Sequence, residues 1–155
     1  MRRLITITIA LLAAIAASAQ MKVQQTGPKG TTNAVVMPSQ AQPGTWEAAR
    51  RIPRPAAAQL VKSGKAVFVD VRSFETYSKG HIKGALSVPR SQLLNRLREI
   101  PPGKLVITYC ACVREHTAAL AVVELGAHGF TNAAALSGGW DEWIANKMPT
   151  ATGPK

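Results

Sequence analysis

Short apolar runs rich in β-branched residues alternate with helix-like segments over most of this chain. The runs that predict buried strands are Ala66–Val71, Ala85–Val88, Leu105–Tyr109 and Thr131–Leu136. Strands that alternate with helices favour an α/β fold, with a central parallel sheet flanked by helices on both faces. Ligands of such folds bind beyond the carboxyl ends of the strands, so we look for functional residues there.

The segments between these runs predict helices from their end residues and their apolar spacing. Pro55 suits the first turn of a helix that stops at Gly64. Ser73 can cap a short helix that Gly80 closes. Three further helices are predicted, from Ser91 to Ile100, over residues 117–125, and from Gly138 onward.

Residues 1–19 have the pattern of a secretory signal peptide. Two arginines precede an apolar run from Leu4 to Ala17, and Ala17-Ser18-Ala19 supplies an A-x-A exit. We therefore predict cleavage after Ala19, a periplasmic or secreted protein, and no stable membrane span after cleavage. An uncleaved amino-terminal anchor is the alternative.

The rest of the chain divides by composition into two parts. Residues 20–50 are mostly polar, with scattered Gly, Pro, Thr and Gln, and predict a flexible leader. Residues 51–155 predict a single domain. The formal net charge of +11 suits an anionic partner. Because an exported protein rarely meets nucleic acid, we expect no nucleic-acid partner and consider a small anionic substrate instead.

Both cysteines, Cys110 and Cys112, lie between the strand Leu105–Tyr109 and the helix that follows it. Two cysteines are too few for a disulfide framework, and a bond across C-x-C spacing would be strained and labile. A helix amino terminus lowers the pKa of a thiol held over it, and its free N–H groups bind anions. The position therefore predicts a reactive thiolate, although cysteines that only fill space are the alternative.

Four motifs in this region resemble the rhodanese-like sulfurtransferase domain. They are D-V-R at 70–72, G-H-I-x-G-A at 80–85, Y-C at 109–110 and G-G-W at 138–140, and the resemblance covers roughly residues 52–148. It implies a cysteine that takes a sulfane sulfur from a small sulfur-containing anion or a persulfide, becomes a persulfide itself, and passes the sulfur to a thiol acceptor. We expect no cofactor and no resident metal.

The resemblance does not decide between the two cysteines. Cys110 stands at the family's usual position directly after the strand. The family's common spacing between the catalytic cysteine and a later Gly-Phe pair, here Gly129-Phe130, would instead make Cys112 the catalytic cysteine. We favour Cys110 as the catalytic residue, because strand ends vary less than loop lengths. Cys112 is then the second or alternative nucleophile. It either forms a disulfide with Cys110 after oxidation, accepts the sulfur from Cys110, or only fills space.

The implied substrate-binding loop contains one acidic residue, which departs from the small or basic loops of the family. Glu115 either weakens the binding of a dianion such as thiosulfate, which favours a persulfide or polysulfide donor, or it simply occupies the first turn of the helix. The loop residues are Ala111, Cys112, Val113, Arg114, Glu115 and His116.

Three residues are predicted to support the site. Asp70 and Arg72 end a strand beside the cysteine strand and suit a structural charge and hydrogen-bond network. His81, in the G-H-I-x-G-A motif, suits the bracing of a loop.

Rival functions remain open at the level of sequence. A C-x5-R phosphatase is excluded, because the residue six positions after Cys110 is His116 and six after Cys112 is Ala118. A soft-metal site on Cys110, Cys112 and His116, a dithiol redox site, and a non-catalytic binding module are the alternatives.

Overall fold

The structure of the protein is a computed structural model that describes residues 44–154. The predicted signal peptide and most of the predicted leader lie outside the described residues. The strands are β1 (Arg51–Ile52), β2 (Ala66–Asp70), β3 (His81–Ile82), β4 (Leu86–Ser87), β5 (Leu105–Tyr109), β6 (Ala133–Leu136) and β7 (Thr150–Ala151). The helices are α1 (Arg54–Lys62), α2 (Phe74–Lys79), α3 (His116–Ala127) and α4 (Gly139–Ala145), with 3-10 helices at Arg90–Glu99 and Val113–Glu115. No helix within 44–154 is long and apolar enough to cross a membrane.

Five of the strands form a parallel sheet in the order β1-β6-β5-β2-β4. The predicted α/β fold with a central parallel sheet is therefore confirmed. β5 lies in the middle of this sheet, so the residues that follow it are at the centre of the carboxyl edge. The strands β3 and β7 pair separately as a small antiparallel ribbon.

The central sheet is covered on both faces because its strands are apolar on both sides. Neighbouring strand residues such as Phe68 and Val69 belong to different hydrophobic clusters. One cluster takes side chains from α3 and the long 3-10 helix, and the other takes side chains from α1, α2 and α4. Burial on both faces is typical of parallel sheets and explains the continuous apolar runs.

The main helices and strands lie where the sequence predicts them, with differences at their ends. Ser73 caps α2 by accepting a hydrogen bond from the backbone N–H of Thr76 at 3.2 Å. The helix α3 continues past Gly126 to Ala127. The strand β6 begins at Ala133, two residues after the start of the predicted run, and the short strand β7 follows α4 and was not predicted.

The segment predicted as an α-helix from Ser91 is instead a 3-10 helix, Arg90–Glu99. Its backbone departs from helical geometry at Arg96, where φ is −119°. Leu93 is fully buried, whereas Leu94 is 48% exposed. The apolar spacing therefore does not form the single buried face of an α-helix.

The described end of the predicted leader, residues 44–50, lies against the domain. It forms a turn in which the N–H of Ala48 donates to the carbonyl of Thr45 at 3.2 Å. Trp46 and Ala49 pack on the hydrophobic cluster that also contains side chains of α3. Trp46 is thereby brought next to the loop between β5 and α3.

Candidate active site

Cys110 is the first residue after β5 and is held by the start of α4. Its side chain is 3% exposed, and its carbonyl accepts a hydrogen bond from the N–H of Trp140 at 2.9 Å. Gly139 approaches so closely that a Cβ there would lie 2.3 Å from the Cys110 carbonyl oxygen. The backbone of Cys110 is therefore fixed between the sheet and α4.

Cys112 is exposed and lies over the amino terminus of α3. The backbone N–H of Thr117 donates to Cys112 Sγ at 3.3 Å, and the thiol donates to the Thr117 hydroxyl oxygen at 3.4 Å. When the thiol ionises, the same hydroxyl can turn and donate to the sulfur. The end of the helix thus offers two donors to a Cys112 thiolate.

The surroundings of the two thiols shift their pKa values in opposite directions. Burial, followed by the hydrogen bond with Cys112, raises the pKa of Cys110 to about 11. Burial also raises the pKa of Cys112, but hydrogen bonds with Cys110 and with the side chain and backbone of Thr117 outweigh it and bring the pKa below its ordinary value. Cys112 is therefore the thiol with the larger thiolate fraction at neutral pH.

The loop reaches this geometry through two residues with left-handed backbone conformation. Arg114 has φ of 60° and Glu115 has φ of 52°. Such angles are uncommon for residues other than glycine, and where they occur they cluster at functional sites. Here they turn the chain so that Cys112 lies above Thr117 instead of pointing away from α3.

Glu115 holds the loop to neighbouring parts of the fold. Its carboxylate accepts a hydrogen bond from the N–H of Gly138 at 2.7 Å and another from Nε of Arg51 at 3.4 Å. Glu115 precedes α3, which begins at His116, and so does not occupy the first turn of that helix. Its negative charge is partly offset by Arg51, and its main contact fixes the turn between β6 and α4.

Trp46 packs against the outer side of the same loop. The Arg114 guanidinium lies 5.0 Å from its ring centroid, and the Arg51 guanidinium lies 5.8 Å away. The His116 ring meets it edge-on at 4.9 Å. Sequence reasoning missed this residue, because Trp46 is far away along the chain and no spacing pattern connects it to the loop.

Asp70 and Arg72 form the structural network that the sequence predicts at the end of β2. Asp70 is fully buried and accepts hydrogen bonds from Arg72 Nε at 2.9 Å and Nη2 at 2.6 Å. Arg72 Nη2 also donates to the carbonyl of Gly80 at 2.7 Å, and its guanidinium lies 4.6 Å from the Trp140 ring centroid. Arg72 therefore has a structural role, because these contacts engage its guanidinium within the fold.

His81 is buried in the segment that follows α2. Its Nδ1 donates to the carbonyl of Tyr77 at 2.9 Å, and its ring stacks on that of Tyr77 with centroids 3.7 Å apart. The hydroxyl of Tyr109, the last residue of β5, accepts the N–H of Ile82 at 3.1 Å. His81 therefore supports the turn beside the cysteine strand.

The structure does not bring together the three ligands of the soft-metal alternative. His116 packs on Trp46, whereas the Cys112 thiol is held at Thr117. Among residues 44–154, no group of three or more His, Cys, Asp or Glu side chains is arranged to hold a metal ion.

Comparisons with known proteins agree with the fold. The family model of the rhodanese-like domain matches residues 54–146. The thiosulfate sulfurtransferase GlpE of Pseudomonas fluorescens is 34% identical over 94 residues, which cover 61% of this chain and 84% of that protein. A structure of a thiosulfate sulfurtransferase from Pseudomonas aeruginosa superposes with a TM-score of 0.62 at 26% identity, covering 69% of this chain and 21% of that one.

A further relative matches a shorter stretch of this chain and is a longer protein. An HTH-type transcriptional regulator of Mycobacterium tuberculosis is 39% identical over 49 residues, which are 32% of this chain and 22% of the regulator. The chain thus spans most of the GlpE relative but only about a fifth of the two longer proteins. The residues that the family model matches, 54–146, include both cysteines.

Proposed function

The chain belongs to the rhodanese-like domain family, and on that premise we propose that it is a sulfurtransferase whose nucleophile is Cys112. It takes a sulfane sulfur from a donor, holds it as a persulfide, and passes it to a thiophilic acceptor such as a thiol. Within that proposal the preference for Cys110 drawn from the strand end is replaced by Cys112.

One observation carries this choice. Cys112 Sγ is exposed and receives the Thr117 N–H at 3.3 Å, whereas Cys110 is buried. An attacking thiolate needs both a stabilised charge and access to the donor. Only Cys112 has both, and it is also the cysteine in register with Gly129-Phe130.

The proposed reaction consists of two sulfur transfers. The Cys112 thiolate attacks the outer sulfur of the donor, a new S–S bond forms, and the old one breaks. Thiosulfate would leave as sulfite, and a persulfide would leave as a thiolate. The acceptor thiolate then attacks the outer sulfur of the Cys112 persulfide and regenerates the Cys112 thiolate, so no external oxidant is needed.

Persulfides and polysulfides suit this loop better than thiosulfate does. The Glu115 carboxylate lies within the loop and opposes a dianion, although Arg51 at 3.4 Å reduces its effect. Arg114 is positioned on Trp46 at the same side of the loop and favours an anion. We therefore propose persulfides and polysulfides, whose charge is single or spread along a chain of sulfur atoms, as the preferred class of donor.

A transfer assay tests the proposal. The purified protein is given thiosulfate or polysulfide with cyanide as acceptor, and thiocyanate is measured. We expect turnover with both donors, faster with polysulfide, and a loss of at least about a hundredfold in Cys112→Ser, as for removal of a nucleophile. Cys110→Ser is the matched control and should retain turnover.

Either of two results would contradict the proposal. Full turnover in Cys112→Ser with loss in Cys110→Ser would return the nucleophile to Cys110. No turnover with either donor, in a folded protein with both thiols free, would favour the non-catalytic binding module.

We further propose that the protein acts outside the cytoplasm. The supporting feature is the pattern of charged start, apolar run and A-x-A exit within residues 1–19. In that compartment sulfur donors would be small anions or persulfides that reach the exposed Cys112 from solvent.

A further inference from the structure

Cys110 is a second thiol that the proposed transfer does not use. It lies two residues before Cys112 and is 3% exposed, and its thiol lies near enough to that of Cys112 for each to shift the pKa of the other. Neither cysteine is engaged in a disulfide. A buried thiol in contact with the sulfur that would carry a persulfide is in position to attack that sulfur.

The backbone permits a bond between the two cysteines. Cα atoms two residues apart are separated by about 5–7 Å, depending on how sharply the chain bends. A disulfide needs a separation of about 4.4–6.8 Å. The two ranges overlap, so the C-x-C spacing permits the bond.

The two cysteines differ in how firmly they are held. The Cys110 backbone is fixed by the Trp140 N–H at 2.9 Å and by the close approach of Gly139. The Cys112 side chain is held by hydrogen bonds to Thr117 at 3.3 and 3.4 Å. Movement of the Cys112 sulfur toward Cys110 therefore breaks those two hydrogen bonds.

We propose that Cys110 resolves the persulfide on Cys112, so that the protein reduces a sulfane sulfur to sulfide and is left with a Cys110–Cys112 disulfide. This inference rests on the proposed function, because Cys112 must first acquire the sulfur. It adds an activity in which no external thiol is needed to remove the sulfur from the protein.

The step is balanced in atoms and electrons. Cys110 Sγ bonds to Cys112 Sγ, and the bond from Cys112 Sγ to the outer sulfur breaks. The outer sulfur leaves with that electron pair and the proton of Cys110, as HS⁻. The sulfane sulfur is reduced, the two thiols are oxidised, and a dithiol reductant later reopens the disulfide.

The environment of Cys110 suits this role. Burial raises the pKa of its thiol, so Cys110 does not compete with Cys112 for the donor, and its later attack requires that its proton pass to the outer sulfur as that sulfur leaves. A disulfide across C-x-C spacing is strained, and strained disulfides are reduced more readily than structural ones. The oxidised pair would therefore return easily to the dithiol.

A single-turnover experiment tests the inference. The reduced protein is loaded with polysulfide without oxygen, excess donor is removed, and samples are alkylated at intervals for intact-mass analysis while released sulfide is trapped and quantified. We expect a doubly alkylated species, about 32 Da heavier than the doubly alkylated reduced protein, to be replaced by an unalkylated species about 2 Da lighter than the unalkylated reduced chain, with one sulfide released per chain.

Variants separate this inference from the proposed function. Cys110→Ser and Cys110→Ala should load sulfur, keep it, and release no sulfide. If the wild-type protein keeps its persulfide unchanged, or if the Cys110 variants release sulfide at the wild-type rate, the inference is wrong while the sulfurtransferase proposal stands. If the wild-type protein does not load at all, the proposed function itself fails.

Two controls exclude other routes to the same products. Unloaded protein kept under the same conditions should stay reduced; disulfide formation there at the same rate would show that the persulfide is not the oxidant. The Cys112→Ser protein retains Cys110 and is added to Cys110→Ser protein that carries the persulfide on Cys112. No sulfide should be released, because the buried Cys110 of one molecule does not reach the persulfide of another. Release in that mixture would overturn the intramolecular route.

Discussion

Cys110 and Cys112 carry the same thiol group and differ only in their surroundings. The sequence predicts that both lie at the carboxyl edge of the sheet, because they follow an apolar strand directly. It does not predict which of them faces the helix end, since that depends on the left-handed backbone at Arg114 and Glu115. Neither residue is a glycine, so no residue type marks that turn in the sequence.

Substitution of Thr117 tests whether its hydroxyl stabilises the Cys112 thiolate. Thr117→Val keeps the backbone N–H donor but removes the hydroxyl that lies 3.4 Å from Cys112 Sγ. Because that contact lowers the pKa of Cys112, its loss should raise the pKa and move the alkylation profile of Cys112 to higher pH. The alkylation rate at pH 7 should fall by roughly threefold to tenfold, as expected for one hydrogen bond.

The measurement is the alkylation rate against pH, followed by mass in a Cys110→Ser background that leaves one thiol. Thr117→Ser retains the hydroxyl and should behave like the parent. An unchanged profile in Thr117→Val would mean that the helix end does not stabilise the Cys112 thiolate.

Among the helices and strands, the longer ones were predictable, whereas three of the four two-residue strands were not. Runs of five or six mostly apolar residues predict β2, β5 and β6, because both faces of the sheet are buried. The two-residue strands β1, β3 and β7 are too short to show alternation, and their pairing depends on partners far along the chain. The 3-10 helix Arg90–Glu99 was predicted as an α-helix because its leucines have α-helical spacing, although its backbone does not have α-helical geometry.

The junction between β5 and α4 gives a prediction about stability. Gly139 has φ of 51°, and a Cβ there would lie 2.3 Å from the Cys110 carbonyl oxygen. Gly139→Ala should therefore lower the free energy of unfolding by roughly 2–4 kcal/mol through backbone strain and overpacking. Urea denaturation measures this loss.

Gly126→Ala is the matched control for that substitution. Gly126 lies within α3, and a Cβ there would meet nothing within 4 Å. Alanine should be neutral or stabilising by up to about 1 kcal/mol. Equal effects of the two substitutions would contradict the account of how α4 fixes the end of β5.

For the molecule as a whole, the strongly basic charge and the amino-terminal pattern bear on where it acts. The net charge of +11 suits small anions, and residues 1–19 have the features of a signal peptide. Neither feature follows from the fold, which is shared with proteins of other kinds.

The export proposal predicts a particular mature chain. In fractionated cells of the source organism, the protein should be found outside the cytoplasm and should begin at Gln20, as determined by amino-terminal sequencing or intact mass. A cytoplasmic protein that still begins at Met1 would contradict export.

The central claim is that a sulfane sulfur is carried on Cys112. Intact mass, recorded immediately after freshly reduced protein is treated with polysulfide, tests it directly. The account predicts a gain of about 32 Da in the wild type and in Cys110→Ser, and no gain in Cys112→Ser. A gain that persists in Cys112→Ser and disappears in Cys110→Ser, or no gain in any of the three, would contradict it.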